Sequence, residues 1–513
     1  MNFYFECAKT LDRLDAKQGS IKGLIGSTPE KDRKRTAALV IETLKFRASL
    51  LEVIKAAQLM KEERKKLTSL NLALVLVHDL LLAGGIQAGD GPIKQAVLRH
   101  KARLNGELQK LKARKGVRSN ADLGQSPDAR AANIPRYVRV NTNAWSLDTA
   151  LEYLASQGHM LQESLEGSHE KIFAKDAHIP NLLLFPAQTS FLEDTAYKSG
   201  KFILQDKASC FPAVVLSPPK NARVIDATAA PGNKTTHLSA LMGNTGKLFA
   251  FERDRKRFGT LSTMLFRAHC KNVDPINADF LTVDPEDPNY AEVTHILLDP
   301  SCSGSGIVNR LDYLLETEED NPDMEEDRLR KLASFQLTMI KHAMKFPKIS
   351  HIVYSTCSIH ATENEHVVRA ALESDEAANG SFVLAPQRYV IPTWHRRGLP
   401  NEMGSPDDAQ SVIRCSPGED ATNGFFVSCF VKASKKRKTR EEDDEERSTT
   451  RKKNKEKERK DSNKAVIASI SYSRETYNLH LSLLTSTWLC EWFCERDPSA
   501  PSWPASHQSA QSR

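Results

Sequence analysis

The chain has 513 residues, of which 40% are hydrophobic and 27% are charged, as in a globular protein with more than one domain. Its 24 glycines and 24 prolines follow no repeat, which excludes a fibrous or collagen-like protein. The formal net charge of +7 combines +12 over residues 1–120, −10 over 121–431, +6 over 432–460 and −1 over 461–513. This asymmetry favours a polyanionic partner held by one end of the chain while the middle has another task.

The sequence has no pattern of secretion or membrane insertion. Its first residues, MNFYFECAKTLDRLDAK, carry charges where a signal peptide needs an apolar core. The most apolar run, Leu70 to Leu82, contains Asn71 and Asp79 and is too short to cross a bilayer. The nine cysteines are odd in number and widely spaced, unlike those of a disulfide scaffold. We therefore expect an intracellular protein without a membrane partner.

Residues 1–120 are predicted to form a basic, all-helical amino-terminal domain. Apolar residues recur at three- and four-residue steps between Thr36 and Leu59 and between Leu67 and Leu82. Residues 100–115 predict a further, strongly basic helix, whose charges fit a solvated face and a polyanion-binding surface equally well.

Residues 121–200 are predicted to hold a linker and a small α+β module. Residues 116–134 are polar and contain proline, which is typical of a linker. The segment PRYVRVNT (135–142) then alternates as a strand does, with Tyr137 and Arg139 on one face. A helix over 148–156 and a short strand over 181–185 follow.

Residues 201–431 are predicted to form an α/β domain. Short apolar runs alternate with helical patterns there, which predicts a mostly parallel, Rossmann-like sheet covered by helices on both faces. A third strand is expected just before Asp279. The other predicted strands are residues 222–228, 247–252, 294–299, 351–356 and, closing the sheet, 424–431.

Residues 432–513 are predicted to be a charged, disordered tail. Blocks of like charge with few apolar residues cannot bury a core. Cys490 and Cys494 near the carboxyl end lack a second pair of ligands, so no metal site is predicted.

The carboxyl ends of the predicted parallel strands are where a ligand should bind. After the first strand, DATAAPGNK (226–234) is a small-residue loop that leads into a helix, and it matches neither the dinucleotide nor the P-loop phosphate motif. The second strand ends in Glu252, and Asp279 follows the third. Each acid alone is more typical of a surface or a helix cap, but together they indicate a cofactor that carries a nucleoside.

Two cysteines follow neighbouring predicted strands, Cys302 after the fourth and Cys357 after the fifth. An isolated cysteine is usually a small buried apolar residue, and we assign that role to Cys7, Cys210, Cys270, Cys415 and Cys429. Cys302 and Cys357 instead meet beside the expected cofactor, where a thiolate can attack an electrophilic carbon. A redox dithiol is the competing chemistry, but the usual C-x-x-C spacing is missing.

The motifs DATAAPGNK, LLDPSCSGSG (297–306) and YSTCS (354–358) followed by ENE (363–365) resemble those of the Nol/Nop/Sun family of S-adenosylmethionine-dependent RNA cytosine-5 methyltransferases. The resemblance runs from PRYVRVNT through QDKAS (205–209) to NGFFV (423–427). Within the family, DPSCSGSG, PGNK and the amino-terminal SIKGL resemble the members that methylate large-subunit ribosomal RNA.

The resemblance implies S-adenosylmethionine as the cofactor. Glu252 would bind its ribose, Arg257 would lie nearby, Asp279 would approach the adenine, and Asp299 would also face the cofactor. The methionine part would be held by a loop that consists of Thr228, Ala229, Ala230, Pro231, Gly232, Asn233 and Lys234. Thr228 stands where relatives often have Cys or Ala.

The resemblance also implies roles in the chemistry. Cys357 would be the nucleophile that adds to carbon 6 of cytosine, and Cys302 would assist loss of the carbon-5 proton and release of the product. Asp299 and Lys234 would hold the polar edge of the base. The acidic insertion 312–327, between the two cysteine motifs, is expected to be a solvated loop.

The implied partner is RNA, either large-subunit ribosomal RNA or a pre-ribosome, bound by a monomeric protein. Because the catalytic domain is acidic, binding is assigned to the amino-terminal domain and to local cations, and the α+β module is expected to bind RNA. These cations are Arg136, Arg139, Lys198, Lys201 and Lys207.

The basic runs KKRK (435–438) and RKKNK (451–455) predict nuclear import and, with a ribosomal substrate, a nucleolar location. Two alternatives remain: a catalytically retired assembly factor that binds RNA, and a DNA cytosine methyltransferase. The second is disfavoured because those enzymes have their nucleophile in a Pro-Cys motif, whereas this chain has Pro300-Ser301-Cys302.

Overall fold

The structure is a computed structural model that describes residues 1–126, 128–166, 171–308, 311–315 and 322–433. The predicted disordered tail lies outside the described residues from 434 onward, as do the two basic runs and the Cys490–Cys494 pair.

The amino-terminal residues form helices packed around one apolar helix, α6. Every residue of α6 from Leu72 to Val77 is buried, and Ser69 caps its first turn by accepting a hydrogen bond from the backbone N–H of Leu72. The region between Thr36 and Leu59 is divided among three helices, with a break at Phe46. The helices are α1 (Asn2–Asp15), α2 (Ile21–Gly26), α3 (Glu30–Lys45), α4 (Arg47–Ala56), α5 (Leu59–Glu62), α6 (Leu70–Leu82), α7 (Pro92–Arg99) and α8 (Lys101–Lys115).

The predicted linker packs against these helices rather than standing free. It forms two short 3-10 turns, Ala121–Leu123 and Ala129–Asn133. Leu123 is buried and its carbonyl accepts a hydrogen bond from Ser49 (2.9 Å).

The small α+β module is a five-stranded sheet in the order β2-β3-β4-β1-β5. Strand β1 lies between β4 and the edge strand β5 and pairs antiparallel with both. The strands are β1 (Arg136–Val140), β2 (Met160–Gln162), β3 (Ile172–Lys175), β4 (Leu182–Phe185) and β5 (Phe202–Leu204), and the helices are α9 (Leu147–Ser156) and α10 (Thr195–Lys198).

The second sheet has eight strands, of which β10-β9-β6-β7-β8 form a parallel run. The order reverses beside β6, so that a crevice opens between the ends of β6 and β9. The parallel strands are β6 (Arg223–Asp226), β7 (Lys247–Phe251), β8 (Val273–Ile276), β9 (His295–Leu298) and β10 (His351–Thr356). Three further strands extend the sheet: β11 (Phe382–Leu384), β12 (Ile413–Cys415) and β13 (Phe425–Lys432), which pairs antiparallel with β10.

Helices cover both faces of this sheet. Val224 and Leu297 face one apolar core, whereas Ile225 and Leu298 face another, as the two-residue alternation of a strand requires. The helices of this region are α11 (Lys207–Leu216), α12 (Asn233–Leu241), α13 (Arg255–Arg267), α14 (Pro322–Met344), α15 (Glu365–Leu372), α16 (Asp375–Gly380), α17 (Pro400–Met403) and α18 (Pro406–Gln410).

The expectation that 312–327 is a solvated loop is wrong at both ends. Asp312–Leu315 is a 3-10 turn, and Leu314 is buried in the core of the amino-terminal helices. At the other end, α14 already begins at Pro322, and the acids of its first turn lie where the helix dipole favours negative charge. The charge pattern predicts neither the buried turn nor the early start of α14, because a few apolar residues are enough to anchor an acidic segment.

No helix in the described ranges is long and apolar enough to span a membrane.

Candidate active site

The carboxyl ends of the parallel strands open into one cavity of about 600 Å³. All the predicted site residues line it except Ala229 and Gly232. The residues that line it are Thr228, Ala230, Pro231, Asn233, Lys234, Glu252, Arg257, Asp279, Asp299, Cys302 and Cys357. The volume is within the range of pockets for small molecules and cofactors.

The loop after β6 is fixed by hydrogen bonds to its neighbours. Buried Asp226 accepts a hydrogen bond from the Thr235 hydroxyl (2.7 Å), and the Ala229 N–H donates to the carbonyl of Phe251 (2.9 Å). The Thr228 hydroxyl accepts from the backbone N–H of Asp299 (3.0 Å), which ties this loop to the end of β9. The threonine that departs from the usual family residue therefore has a structural contact here.

Gly232 gives the loop its sharp entry into α12. Its φ is +112°, a value that residues with side chains rarely adopt, and a Cβ there would lie 3.1 Å from Cγ of Met264. The Ala230–Pro231 peptide just before it is cis. The backbone of this loop thus lies directly against the cavity.

Two acids and an arginine form the wall opposite the loop. Glu252 accepts a hydrogen bond from the N–H of Asp254 (2.8 Å), and its other oxygen is 3.5 Å from the Arg257 guanidinium. Arg257 also donates to the carbonyl of Ala230 (2.8 Å), so it bridges the acid and the loop. Asp279 accepts from the N–H of Leu281 (3.0 Å). Carboxylates at the ends of β7 and β8, facing a loop of small residues, suit a nucleoside with a ribose diol.

Asp299 and Lys234 form an ion pair at the end of β9. The ammonium donates to one carboxylate oxygen at 2.7 Å, and the Ser355 hydroxyl donates to the other at 2.7 Å. Burial disfavours the charge of Lys234, but Asp299 outweighs this effect and raises the lysine pKa. Lys234 therefore stays charged, and its hydrogen bond to Asp299 has a fixed direction.

The two cysteines lie beside this pair, with their Sγ atoms 3.1 Å apart. The hydrogen bond to Cys357, burial and the negative charge of Asp299 all raise the pKa of the Cys302 thiol. Cys302 therefore keeps its proton in this arrangement, in contact with Cys357. Two sulfurs in contact can divide the tasks of nucleophile and proton carrier.

Four residues that line the cavity have no predicted role. Tyr137, Gln205 and Asp206 belong to the α+β module and its junction, and Phe425 belongs to β13. They lie in the PRYVRVNT, QDKAS and NGFFV segments, which carry the family resemblance but indicate no mechanism by themselves.

The predicted RNA-binding roles of Arg139 and Lys207 are wrong. Arg139 is only 1% exposed and donates to Gln205 and to Thr236 (both 2.8 Å), and burial lowers its pKa to about 10. Lys207 is buried in an ion pair with Asp176 (2.8 Å). Strand alternation predicts an exposed face for Arg139, but that face of β1 packs against the catalytic domain. The other three cations, Arg136, Lys198 and Lys201, are exposed.

The basic helix α8 has a mixed surface. Arg103 and Arg114 form ion pairs with Glu62 and Glu52, and Lys110 pairs with Glu107 (2.8 Å). The residues next to α5 present exposed cations, which we call the basic turn: Lys61, Arg64, Lys65 and Lys66. Ion pairs from Arg99 and Arg103 to Glu63 and Glu62 hold this turn against the start of α8.

Family models match three consecutive parts of the chain. Residues 213–431 match the 16S rRNA methyltransferase RsmB/F model, and residues 34–123 and 134–205 match the N-terminal and ferredoxin-like domains of NOL1/NOP2/Sun domain family member 5. The chain is 44% identical to the 28S rRNA (cytosine-C(5))-methyltransferase of Mus musculus, over 84% of this chain and 91% of that protein. The chain belongs to the Nol/Nop/Sun family of RNA cytosine-5 methyltransferases.

Other comparisons agree with this membership. The 25S rRNA (cytosine-C(5))-methyltransferase rcm1 of Schizosaccharomyces pombe is also 44% identical, over 83% of this chain and 91% of that one. The crystal structure titled PH0851 shares the fold, with a TM-score of 0.54 at 21% identity over 79% of this chain and 91% of that chain. The predicted fold class, the methyltransferase activity and the S-adenosylmethionine cofactor of a Nol/Nop/Sun enzyme are thereby confirmed.

Proposed function

We propose that this Nol/Nop/Sun enzyme methylates carbon 5 of a cytosine in large-subunit ribosomal RNA through a covalent bond between Cys357 and the base. The observation that carries the proposal is the pair of sulfur atoms 3.1 Å apart at the ends of adjacent strands, beside a cavity of cofactor size. The relatives named above support the ribosomal substrate, because they are named for 28S and 25S rRNA.

The residues around the cavity fit S-adenosylmethionine. Glu252 and Asp279 would hold the nucleoside and the loop from Thr228 to Lys234 the methionine part; both acids and most of the loop line the cavity, which supports these roles. When bound, the cofactor supplies a methyl group activated by its positively charged sulfur. A negatively charged wall complements that charge.

Cys357 begins the reaction on the base. After its proton has passed to solvent, its sulfur adds as the thiolate to carbon 6 of cytosine, and the displaced electron pair of the C5=C6 bond makes carbon 5 nucleophilic toward the methyl group. Asp299 accepts from the exocyclic amine while Lys234 donates to the ring nitrogen, which stabilises the charge that the addition creates. The base has to leave its stack to reach this site, which favours single-stranded or remodelled RNA.

Cys302 completes the reaction. The Cys302 thiol first releases its own proton to solvent, and the thiolate then takes the proton from carbon 5. The freed pair restores the C5=C6 bond, and the C6–S bond breaks to return its pair to Cys357. The hydrogen bond to Cys357 is the first cause of the raised Cys302 pKa. Once Cys357 is bonded to carbon, that contribution is lost, and the Cys302 thiol gives up its proton more easily.

Variants of the two cysteines test the mechanism. Cys357→Ala should abolish methyl transfer and any denaturation-resistant enzyme–RNA adduct, whereas Cys302→Ala should accumulate the adduct, because the first step proceeds and the last does not. Methyl transfer to ribosomal RNA is measured with labelled cofactor, and the adduct by gel electrophoresis. Identical behaviour of the two variants would show that the division of roles is wrong.

The runner-up function, an RNA-binding assembly factor without catalysis, is disfavoured by the intact cavity and the paired sulfurs. Calorimetric titration with S-adenosylmethionine separates the two readings, because a retired enzyme has no need to bind the cofactor. Mapping 5-methylcytosine in cellular RNA with and without the protein then identifies the target, and comparing free RNA with pre-ribosomes identifies the form of the substrate.

We further propose a role in ribosome biogenesis, a nuclear and nucleolar location, and a monomeric state. The support for the location is the ribosomal relatives together with the basic runs at 435–438 and 451–455. Deleting residues 434–460 should move the protein out of the nucleus, as seen by microscopy of a tagged chain. An unchanged distribution would show that the basic runs do not direct nuclear import. The monomeric state is tested separately, by light scattering.

A further inference from the structure

Three consecutive polar residues, Glu363, Asn364 and Glu365, are completely buried just after the Cys357 motif. We call them the ENE segment. Burying two carboxylates and an amide is costly unless each finds partners. Each of the three binds a different part of the site, and this division carries the inference.

Glu363 binds the loop that contains Cys302. Its carboxylate accepts a hydrogen bond from the backbone N–H of Ser303 (2.9 Å) and another from the side-chain amide of Gln336 (3.0 Å). The same Gln336 amide donates to the carbonyl of Ser301 (3.0 Å). The backbone is therefore held on both sides of Cys302.

Asn364 binds the loop that contains Cys357. Its amide donates to the carbonyl of Ser358 (3.0 Å), and its oxygen accepts from the hydroxyl of Thr356 (2.5 Å). These residues flank Cys357 on both sides.

Glu365 faces away from both cysteines. Its oxygens accept two hydrogen bonds from Arg414, each 2.6 Å long, and one also accepts from the N–H of Leu399 (3.1 Å). Arg414 in turn donates to the carbonyl of Ile359 (2.9 Å). This residue anchors the segment to β12 and to the outer loops.

We propose that Glu363 is the positioning residue for Cys302 and Asn364 the positioning residue for Cys357, so that two adjacent residues govern opposite ends of the reaction. The inference rests on the proposed division of roles between the cysteines. Glu363, together with Gln336, holds the backbone on both sides of Cys302. Asn364 holds the hydroxyl of the residue before Cys357 and the carbonyl of the residue after it, so each of the two sets where its sulfur lies. A displacement of about 1 Å at a reacting group can slow a step by up to about 100-fold.

Two nearly isosteric substitutions test the division. In Glu363→Gln an amide N–H₂ replaces the carboxylate oxygen that lies 3.3 Å from the Ser303 N–H, so two donors face each other there. This loosens the Cys302 loop, so release should slow and the steady-state adduct should rise several-fold. Asn364→Asp loses the donor to Ser358 and loosens the Cys357 loop, so addition should slow and the adduct should fall. Both should lower turnover by about 10- to 100-fold. The measurements are the adduct fraction and single-turnover methyl transfer on ribosomal RNA.

A charge-swapped double variant separates positioning from simple loss of structure. In Glu363→Gln with Gln336→Glu, the new amide can donate to the new carboxylate while its oxygen accepts from Ser303. Because a carboxylate at position 336 cannot donate to the Ser301 carbonyl, the adduct fraction should return only part of the way toward that of the wild type. Glu373→Gln, at the exposed end of α15, makes the same chemical change outside the site and should alter nothing.

The outcomes are distinct. Opposite changes in adduct fraction, with S-adenosylmethionine still bound in calorimetry and with rescue by the swap, support the inference. Equal changes in both single variants, or a swap that restores nothing, overturn it. If the wild type itself formed no adduct, the proposed function would fail first, which is a separate result.

Discussion

The carboxyl group of Asp226 is only 1% exposed at the end of β6, where burial disfavours its ionised form. Burial is the main reason that its pKa is raised to about 6, against partial relief from the Thr235 hydroxyl. The folded state therefore holds a proton that the unfolded state has lost between about pH 4 and pH 6. Stability from this group is present below pH 4 and decreases as the pH rises to 6.

Replacing this carboxyl group should make the protein less sensitive to pH. Asp226→Asn cannot ionise, so its stability relative to the wild type should increase between pH 4 and pH 7, by at most about 3 kcal/mol. Thermal unfolding of both proteins across this range measures the difference. A difference that stays constant with pH would mean that Asp226 ionises normally in the folded protein.

Asp299 shows how one carboxylate serves several partners. Asp299→Asn removes the charge that raises the pKa of Lys234, so the lysine pKa should fall and activity should drop by about 100-fold or more. We expect S-adenosylmethionine to bind more weakly as well, since Asp299 lines the cavity and its negative charge is lost. A pH–rate profile and cofactor titration measure both effects; unchanged activity would remove Asp299 from the mechanism.

At the scale of elements, the basic turn is an exposed cationic feature of the amino-terminal domain, held by ion pairs against the start of α8. Replacing Lys61, Arg64, Lys65 and Lys66 with glutamine should weaken RNA binding and reduce the slope of log affinity against log salt by about 2 to 4, because each phosphate contact releases about one counterion. Single-turnover chemistry at saturating RNA should be unchanged. Filter binding at several salt concentrations measures the slope.

A second set of four exposed lysines in the same domain provides the control: Lys17, Lys22, Lys31 and Lys34. Replacing them changes the net charge by the same amount. Equal losses from both sets would indicate attraction by bulk charge, whereas a larger loss from the basic turn supports a specific surface.

The elements that could be predicted are those whose signal is local. Short apolar runs identified β6, β7, β9 and β10, and the rule that ligands bind at the carboxyl ends of parallel strands placed the acids and cysteines together. The partners of those strands in the sheet, and therefore the 3.1 Å between the sulfurs, depend on contacts between residues 55 positions apart. The sequence pattern alone does not encode such distances.

The failures also have a physical cause. The prediction for Arg139 failed because strand alternation defines two faces of a strand but does not indicate which face packs against another domain. The ENE segment was noticed only as part of a motif, because its function lies in hydrogen bonds to the backbone of two distant loops. A sequence pattern indicates the type of each side chain, whereas the role of these side chains depends on their hydrogen-bonding partners in the folded protein.

At the scale of the whole molecule, Leu314 joins the two cysteine motifs to the amino-terminal helices. It is 3% exposed in their core, although it follows β9 of the catalytic sheet. Leu314→Ala should lower the free energy of unfolding by about 2 to 5 kcal/mol, as for other buried leucines. Leu192→Ala, at a side chain that is 67% exposed, should leave it nearly unchanged in the same thermal or denaturant unfolding.

This buried leucine also bears on synthesis of the chain. The ribosome makes the helices of residues 1–115 long before it makes residue 314, so their core lacks one of its side chains until the catalytic domain is mostly complete. Until residue 314 is made, the nascent chain would expose the apolar surface that Leu314 covers. A fragment that ends after residue 120 would always expose it. The amino-terminal domain is therefore a poor unit to express alone, and its final consolidation should coincide with assembly of the catalytic sheet.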